Sequence, residues 1–409
     1  MRSLWDGVAM SRLAVALVLL ALANSPALSA PASPNGASPT ADELRADAKQ
    51  VPKLINDNYA YLERLPGGHL TIPPHLADEG NRVSSMRELL RYSERVMALL
   101  ADHHAITGSS LHDSWAIVPS YADLWITKAG ASYVVEQVRD ASPAARAQIR
   151  AGDTLVAVEG VPIKRAVADF WSDLGATGGA ERDDYAARLL AAGRRDRPRT
   201  LTFLTRAGLR SFTLPNLYSV AEPTKPPVSV VSTRGEYRIR FNDSLGDQST
   251  IAAFDQAMGA ATDHKRLVID LGDTPSGGNT SVARAILGWF VQRPSFYQMH
   301  NLPVEERQTG IARQWVEQVL PRQGKYYKGP VTIRVNRWTG SMGEGLAIGF
   351  HAIGKRVEGT HMAGLRGAVY DYALPASGLT LKIPTEKLYT VGGIPREDFV
   401  PAPGKSEQR

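Results

Sequence analysis

The sequence predicts an α/β protein in three parts: a helical segment over 42–112, a small β-rich domain over 113–219 and a strand–helix–strand domain over 228–402. Three observations carry this. Apolar residues recur at helical spacing early in the chain, at Leu44, Val51, Leu54 and Ile55 and again at Met86, Leu89, Leu90, Val96 and Met97. Short apolar runs separated by turn residues fill the middle, among them 124–127, 133–138, 155–158 and 201–204. Beyond 228, strand-like and helix-like runs alternate, and 267–271 (L-V-I-D-L) is nearly continuously apolar, as in a strand covered on both faces.

Composition narrows the functional classes. With 409 residues, 43% of them apolar, the chain can bury more than one core. Cysteine is absent, which excludes disulfides, thiolate metal sites and a cysteine nucleophile. The net charge of +6 comes without a Lys/Arg block interleaved with aromatics, so it reads as solubility and not as nucleic-acid binding.

The first thirty residues stand apart. Arg2 and Arg12 precede an apolar run over 13–23, and small residues follow at Ser25, Ala27, Ser29 and Ala30. That order is the order of a secretory signal, and the run is too short to span a bilayer comfortably. We expect a signal peptide over 1–30, an exported periplasmic or extracellular protein and no stable membrane span after signal removal. A Pro/Ser/Gly linker (31–41) and a short tail (403–409) flank the folded parts.

Several motifs carry possible chemistry. The second helical run ends in Asp102-His103-His104-Ala105. Imidazoles at a helix C-terminus interact favourably with the dipole, and adjacent side chains on a helix do not converge on a metal, so no metal is expected. A glycine turn, G-D-T-P-S-G-G-N over 272–279, follows the strand at 267–271. Farther on, Val331, Ile333 and Val335 alternate as in a strand, Thr339-Gly340 stops it, and Ser341 opens an amphipathic run through Leu346, Ala347, Phe350 and Ile353. Both turns lie at strand carboxyl ends, where open α/β sheets bind ligands. Ser341 therefore sits at a helix N-terminus, either as an N-cap or as a nucleophile whose oxyanion the backbone N–H groups would favour. Neither GxxxxGK[ST] nor GxGxxG occurs, and no cofactor is expected.

Two resemblances then organise these motifs. The string S-P-A-A-R-A-Q-I-R-A-G-D-T-L-V-A-V-E-G-V-P-I from Ser142 resembles the PDZ signature, with Gln148 where a glycine is usual and a helical insertion near 166–192. PDZ domains take extended C-termini by strand addition, so the resemblance implies a polypeptide partner, its C-terminus included. The usual carboxylate loop is not recognisable before Trp125.

The order of helical segment, PDZ-like domain, D-L-G-D-T-P-S-G-G-N and N-R-W-T-G-S-M-G-E-G resembles the tail-specific, or C-terminal-processing, serine peptidases. Asp270, Leu271, Gly277, Gly278 and Asn279 match one family motif; Asn336, Thr339, Ser341 and Glu344 match the nucleophile segment, where Gly340 and Gly343 replace alanine and serine. The resemblance implies a ββα (crotonase/ClpP-like) α/β catalytic domain and a serine endopeptidase. One catalytic design in the family places a lysine in a later glycine turn, but here that turn, Gly364-Leu-Arg-Gly367, holds Arg366, which stays protonated and cannot act as base. The tricorn-core design uses a histidine and a late glutamate. It implies Ser341 as nucleophile, His104 as base with His103 as its rival, and Glu397 in G-I-P-R-E-D-F-V-P orienting the imidazole. It further implies an oxyanion hole from the N–H of Met342 with that of Gly277 or Gly278. The family also includes inactive relatives, so a peptide- or lipid-binding module is the alternative reading.

Overall fold

A computed structural model describes residues 38–220, 224–261 and 266–404. The expected signal peptide, most of the first linker and residues 405–409 of the tail lie outside the described residues. Among the described residues, no helix is long and apolar enough to cross a membrane.

Helix α1 (Ala41–Asn58) starts at Thr40, whose hydroxyl accepts from Glu43 N–H while the Glu43 carboxylate accepts from Thr40 N–H at 2.7 Å, a reciprocal cap. It buries Leu44, Ala48, Val51 and Ile55 against α3 (Met86–Ala98), which buries Leu89, Val96 and Met97. Between them in sequence lies α2 (Pro74–Arg82); Pro74 occupies the first helical position, where its missing N–H costs nothing. This segment does not form a core of its own. Strand β1 (Ile106–Thr107) pairs antiparallel with Leu381 and Lys382 far along the chain, and the α1–α3 core continues into Leu379, Leu381 and Ile383. That pairing carries the 102–105 turn toward the third part of the chain.

The PDZ-like domain runs through β2 (Leu124–Ala129), β3 (Ser132–Val138), α4 (Pro143–Arg146), β4 (Thr154–Val158), β5 (Val161–Pro162), α5 (Ile163–Asp173), α6 (Ala180–Ala192), β6 (Arg199–Thr205) and β7 (Gly208–Leu214). Its strands form an antiparallel sheet in the order β2-β3-β4-β6-β7, with β5 on β4. Gln148 has φ +61°, the left-handed conformation that a glycine would adopt without strain. The outer edge of β2 is engaged within the chain. Asp184 of α6 accepts from Lys128 N–H at 2.6 Å, and Arg188 donates to the Ile126 carbonyl at 3.0 Å. An added peptide strand on β2 would need those same backbone groups.

The third part contains β8 (Val228–Ser232), β9 (Glu236–Phe241), α7 (Ser249–Gly259), β10 (Arg266–Asp270), α8 (Thr280–Leu287), β11 (Ser295–Asn301), α9 (Pro303–Thr309), β12 (Gln314–Val319), β13 (Val331–Val335), α10 (Met342–Ala352), β14 (Arg356–Gly359), β15 (Ala368–Ala373), β16 (Thr380–Tyr389) and β17 (Ala402–Pro403). One sheet has the order β17-β14-β13-β10-β9-β8 and is parallel except between β8 and β9. A second, antiparallel sheet has the order β1-β16-β11-β12, with β15 on β16. Helix α10 packs on β14 of the first sheet and β11 of the second, which explains why every residue from Gly343 to Phe350 is buried. The PDZ-like domain docks where β13 ends. Glu136 accepts two bonds from the Arg337 guanidinium, at 2.7 and 2.9 Å, and Trp338 Nε1–H donates to the Ala122 carbonyl at 2.8 Å.

Candidate active site

The turn from β13 into α10 is tied to the turn after β10. Thr339 Oγ1 accepts from Asn336 N–H at 3.0 Å and donates to the Leu271 carbonyl at 2.8 Å. Thr274 N–H donates to the Trp338 carbonyl, and Gly340 N–H to the Thr274 carbonyl, each at 3.0 Å. The two segments run so close that a Cβ at Gly340 would lie 3.0 Å from the Pro275 carbonyl oxygen, and one at Gly343 only 2.3 Å from Thr274 Oγ1. Glycine at 340 is thus a consequence of close backbone approach, and at 343 the Thr274 side chain leaves no room for a Cβ.

Ser341 is the last residue before α10 and has φ +49°, ψ −113°, outside the ordinary regions for a side-chain-bearing residue. Strain of this kind is characteristic of a nucleophile held on a sharp strand-to-helix turn. Its backbone N–H donates to Glu344 at 2.9 Å. Its Oγ lies 3.1 Å from His104 Nε2. The other imidazole nitrogen, Nδ1, lies 2.7 Å from the Arg366 carbonyl oxygen. A carbonyl only accepts, so Nδ1 carries the proton, and in the neutral ring Nε2 accepts from the Ser341 hydroxyl.

Asp102 fixes the histidine turn: its carboxylate accepts from His104 N–H at 2.9 Å and from the buried Tyr59 hydroxyl at 2.8 Å. Burial, reinforced by the positive Arg396, pushes His104 down to about 4, while the Arg366 carbonyl and Asp102 oppose the shift. The ring is therefore neutral at neutral pH. His103, the rival base, points elsewhere; it stacks on Tyr185 with centroids 4.5 Å apart, and its Nε2 has no hydrogen-bond partner among the described residues.

Ser341 and His104 open into a cleft of about 590 Å³ that Gly277, Gly278 and Met342 also line. Among the described residues, the N–H groups of Gly277, Gly278 and Met342 have no partner inside the protein. The loop carrying the glycines is anchored by Asp243, which accepts from the N–H and hydroxyl of Ser276 at 3.1 and 2.9 Å. The far wall comes from the second sheet. There the Nδ1–H of buried His300 donates to Glu386 at 2.8 Å, and the ring stacks on Trp315. The same tautomer lets Gln298 donate to His300 Nε2 at 3.1 Å.

Residues 239–397 match the family model for peptidase family S41, and 134–170 match a PDZ domain. The chain is a serine-type peptidase with an S41 peptidase domain and a PDZ domain. Two solved structures share the fold of this peptidase. The photosystem II D1 C-terminal processing protease is 15% identical, with 89% of this chain and 94% of that chain covered and a TM-score of 0.53. Mature CPAF complexed with lactacystin is 14% identical, with 89% and 93% covered and a TM-score of 0.55. No curated protein matches in sequence.

One expected role fails on geometry. Glu397 does not hold the His104 imidazole, because the Arg366 carbonyl already takes its Nδ1–H. Glu397 lies in the short turn 396–398 and faces Tyr61, whose ionisation it suppresses together with burial. The Arg366 side chain also avoids the serine: its guanidinium donates to the Ala101 carbonyl and pairs with Glu181. A backbone carbonyl leaves no signature in residue type, so this partner was invisible in the sequence. Glu344 was visible, three residues after Ser341 at capping-box spacing, but that spacing assigns it no role toward the histidine. Among the described residues, no group of three or more His, Cys, Asp or Glu side chains is placed to hold a metal ion.

Proposed function

We propose that this peptidase is an exported serine endopeptidase that cleaves extended polypeptide through a Ser341–His104 pair. The observation that carries the reading is the 3.1 Å contact between His104 Nε2 and the Oγ of a strained Ser341, beside unpartnered N–H groups in one cleft. In this reading His104 takes the Ser341 proton at Nε2 as Oγ adds to the scissile carbonyl. The Met342 N–H, with that of Gly277 or Gly278, receives the developing oxyanion. The imidazolium then protonates the leaving amine, and water repeats the sequence on the acyl-enzyme. The Arg366 carbonyl holds the ring in the productive tautomer, and Asp102 favours its cationic form.

Export rests on the order of residues 1–30. Capture of a substrate C-terminus on β2 would require Asp184 and Arg188 to release the strand edge. The test is a peptide-library digest with wild type and Ser341→Ala side by side. Internal cleavages absent from the variant support the reading, and identical digests overturn it.

A further inference from the structure

We propose that Glu344 is the positioning carboxylate of this site, holding both the Ser341 turn and the loop whose Arg366 carbonyl orients His104. The inference rests on the Ser341–His104 reading above. Glu344 is fully buried on the first turn of α10. One carboxylate oxygen accepts from Ser341 N–H at 2.9 Å and Leu365 N–H at 3.2 Å, and the other from Gly364 N–H at 2.8 Å. Leu365 is bonded directly to Arg366, so one side chain ties the nucleophile's backbone to the residue that sets the imidazole. Arg396 closes the same loop from the opposite side, donating to the Leu365 and Gly367 carbonyls at 2.8 Å each.

An ionised carboxylate only accepts and can serve all three N–H groups; a protonated one presents a hydroxyl donor toward at least one of them. The charged groups around Glu344 are Arg396 and Glu397 from the 396–398 turn, with His104 and Asp102 beyond the Arg366 loop. Gln298, which approaches α10 from β11, is uncharged. Burial, with a contribution from Glu397, pushes the Glu344 carboxyl up to about 7 against the pull of Arg396 and the backbone donors. Nucleophile and base should therefore become aligned as pH rises through neutrality. Stability should move the other way. Between the ordinary carboxylate range and about 7 the folded state binds more protons than the unfolded chain, so this contribution is present at low pH and lost as pH rises through 7.

The experiment measures the second-order rate of fluorophosphonate labelling at Ser341 between pH 5 and 9, per folded protein, for wild type and Glu344→Gln. Thermal unfolding is followed in parallel. The expected result is a wild-type rate that climbs through about pH 7, and a folded Gln variant labelled about 10- to 100-fold more slowly with that limb gone. A Gln variant with the wild-type rate and the wild-type limb overturns the proposal, as does one slowed with the limb intact. If the variant does not fold, the wild-type profile decides, and a profile with no step near 7 rejects the role. Failure of wild type to label at any pH would instead sink the serine–histidine reading, and this proposal with it.

Discussion

His104 and Arg366 meet through the backbone: the imidazole Nδ1–H donates 2.7 Å to the Arg366 carbonyl, while the Arg366 guanidinium turns away to Ala101 and Glu181. Serine–lysine relatives are expected to carry their base in this turn. Here the turn supplies an orienting carbonyl to a base that arrives from the helical segment.

That relationship predicts a split between side chain and backbone. His104→Ala should lower kcat/KM about 10²–10⁴-fold, the usual worth of a positioned general base. Arg366→Ala keeps the carbonyl and should cost less than about 10-fold. Arg366→Lys in a His104→Ala background should restore nothing, because the side chain at 366 is aimed at Glu181. Steady-state hydrolysis of one fluorogenic peptide by the three variants checks this.

The geometry at Ser341 predicts a trade between stability and activity. A non-glycine residue at φ +49°, ψ −113° stores about 1–3 kcal/mol. Ser341→Gly should relieve most of that against the roughly 0.5–1 kcal/mol that glycine adds to the unfolded chain's entropy. Ser341→Gly should therefore unfold about 1 kcal/mol less readily than Ser341→Ala, with both inactive. Paired denaturant titrations measure the difference.

The depressed His104 pKa fixes a direction for stability against pH. Its folded value, about 4, lies below the ordinary imidazole range near 6.5, so the folded state holds fewer protons than the unfolded chain between them. This contribution is present above about 6.5 and fades as pH falls toward 4, up to roughly 3 kcal/mol. The unfolding free energy at pH 7 minus that at pH 4.5 should therefore be more positive in wild type than in His104→Phe.

Glu397 should matter little to catalysis. It faces Tyr61 and does not bond the base. Glu397→Gln is expected to hold kcat/KM within about 10-fold of wild type. A loss as deep as that of His104→Ala would return Glu397 to the catalytic group.

The capped edge of β2 predicts weak peptide capture by the PDZ-like domain. A labelled peptide with a free C-terminus should bind Ser341→Ala no better after the cleft is blocked, whereas adding Asp184→Ala and Arg188→Ala should increase binding. Fluorescence anisotropy with the two proteins reads this directly.

The parallel sheet, the PDZ-like strands and the turn at Ser341 were legible because each depends on local pattern: the apolar run at 267–271, the alternation at 331–335, and glycines where backbones nearly touch. The second sheet was not. In β16 the alternation of Leu381 and Ile383 breaks at Pro384, and its partners β1 and β11 are distant in sequence. For the same reason the 42–112 segment read as a separate domain, although its core is completed by β16. At the site, Ser341 and His104 were identifiable as residue types in motifs, and the structure brings them together. The orienting group was not identifiable, since a carbonyl belongs to every residue and only the fold selects Arg366.

The most direct measurement is mass-spectrometric mapping of a fluorophosphonate adduct on wild type and His104→Ala at equal protein and probe concentrations. The Ser341–His104 account predicts one adduct, on Ser341, formed at least about 100-fold more slowly in the variant. An adduct on another residue, no adduct on Ser341, or equal rates in the two proteins would contradict it.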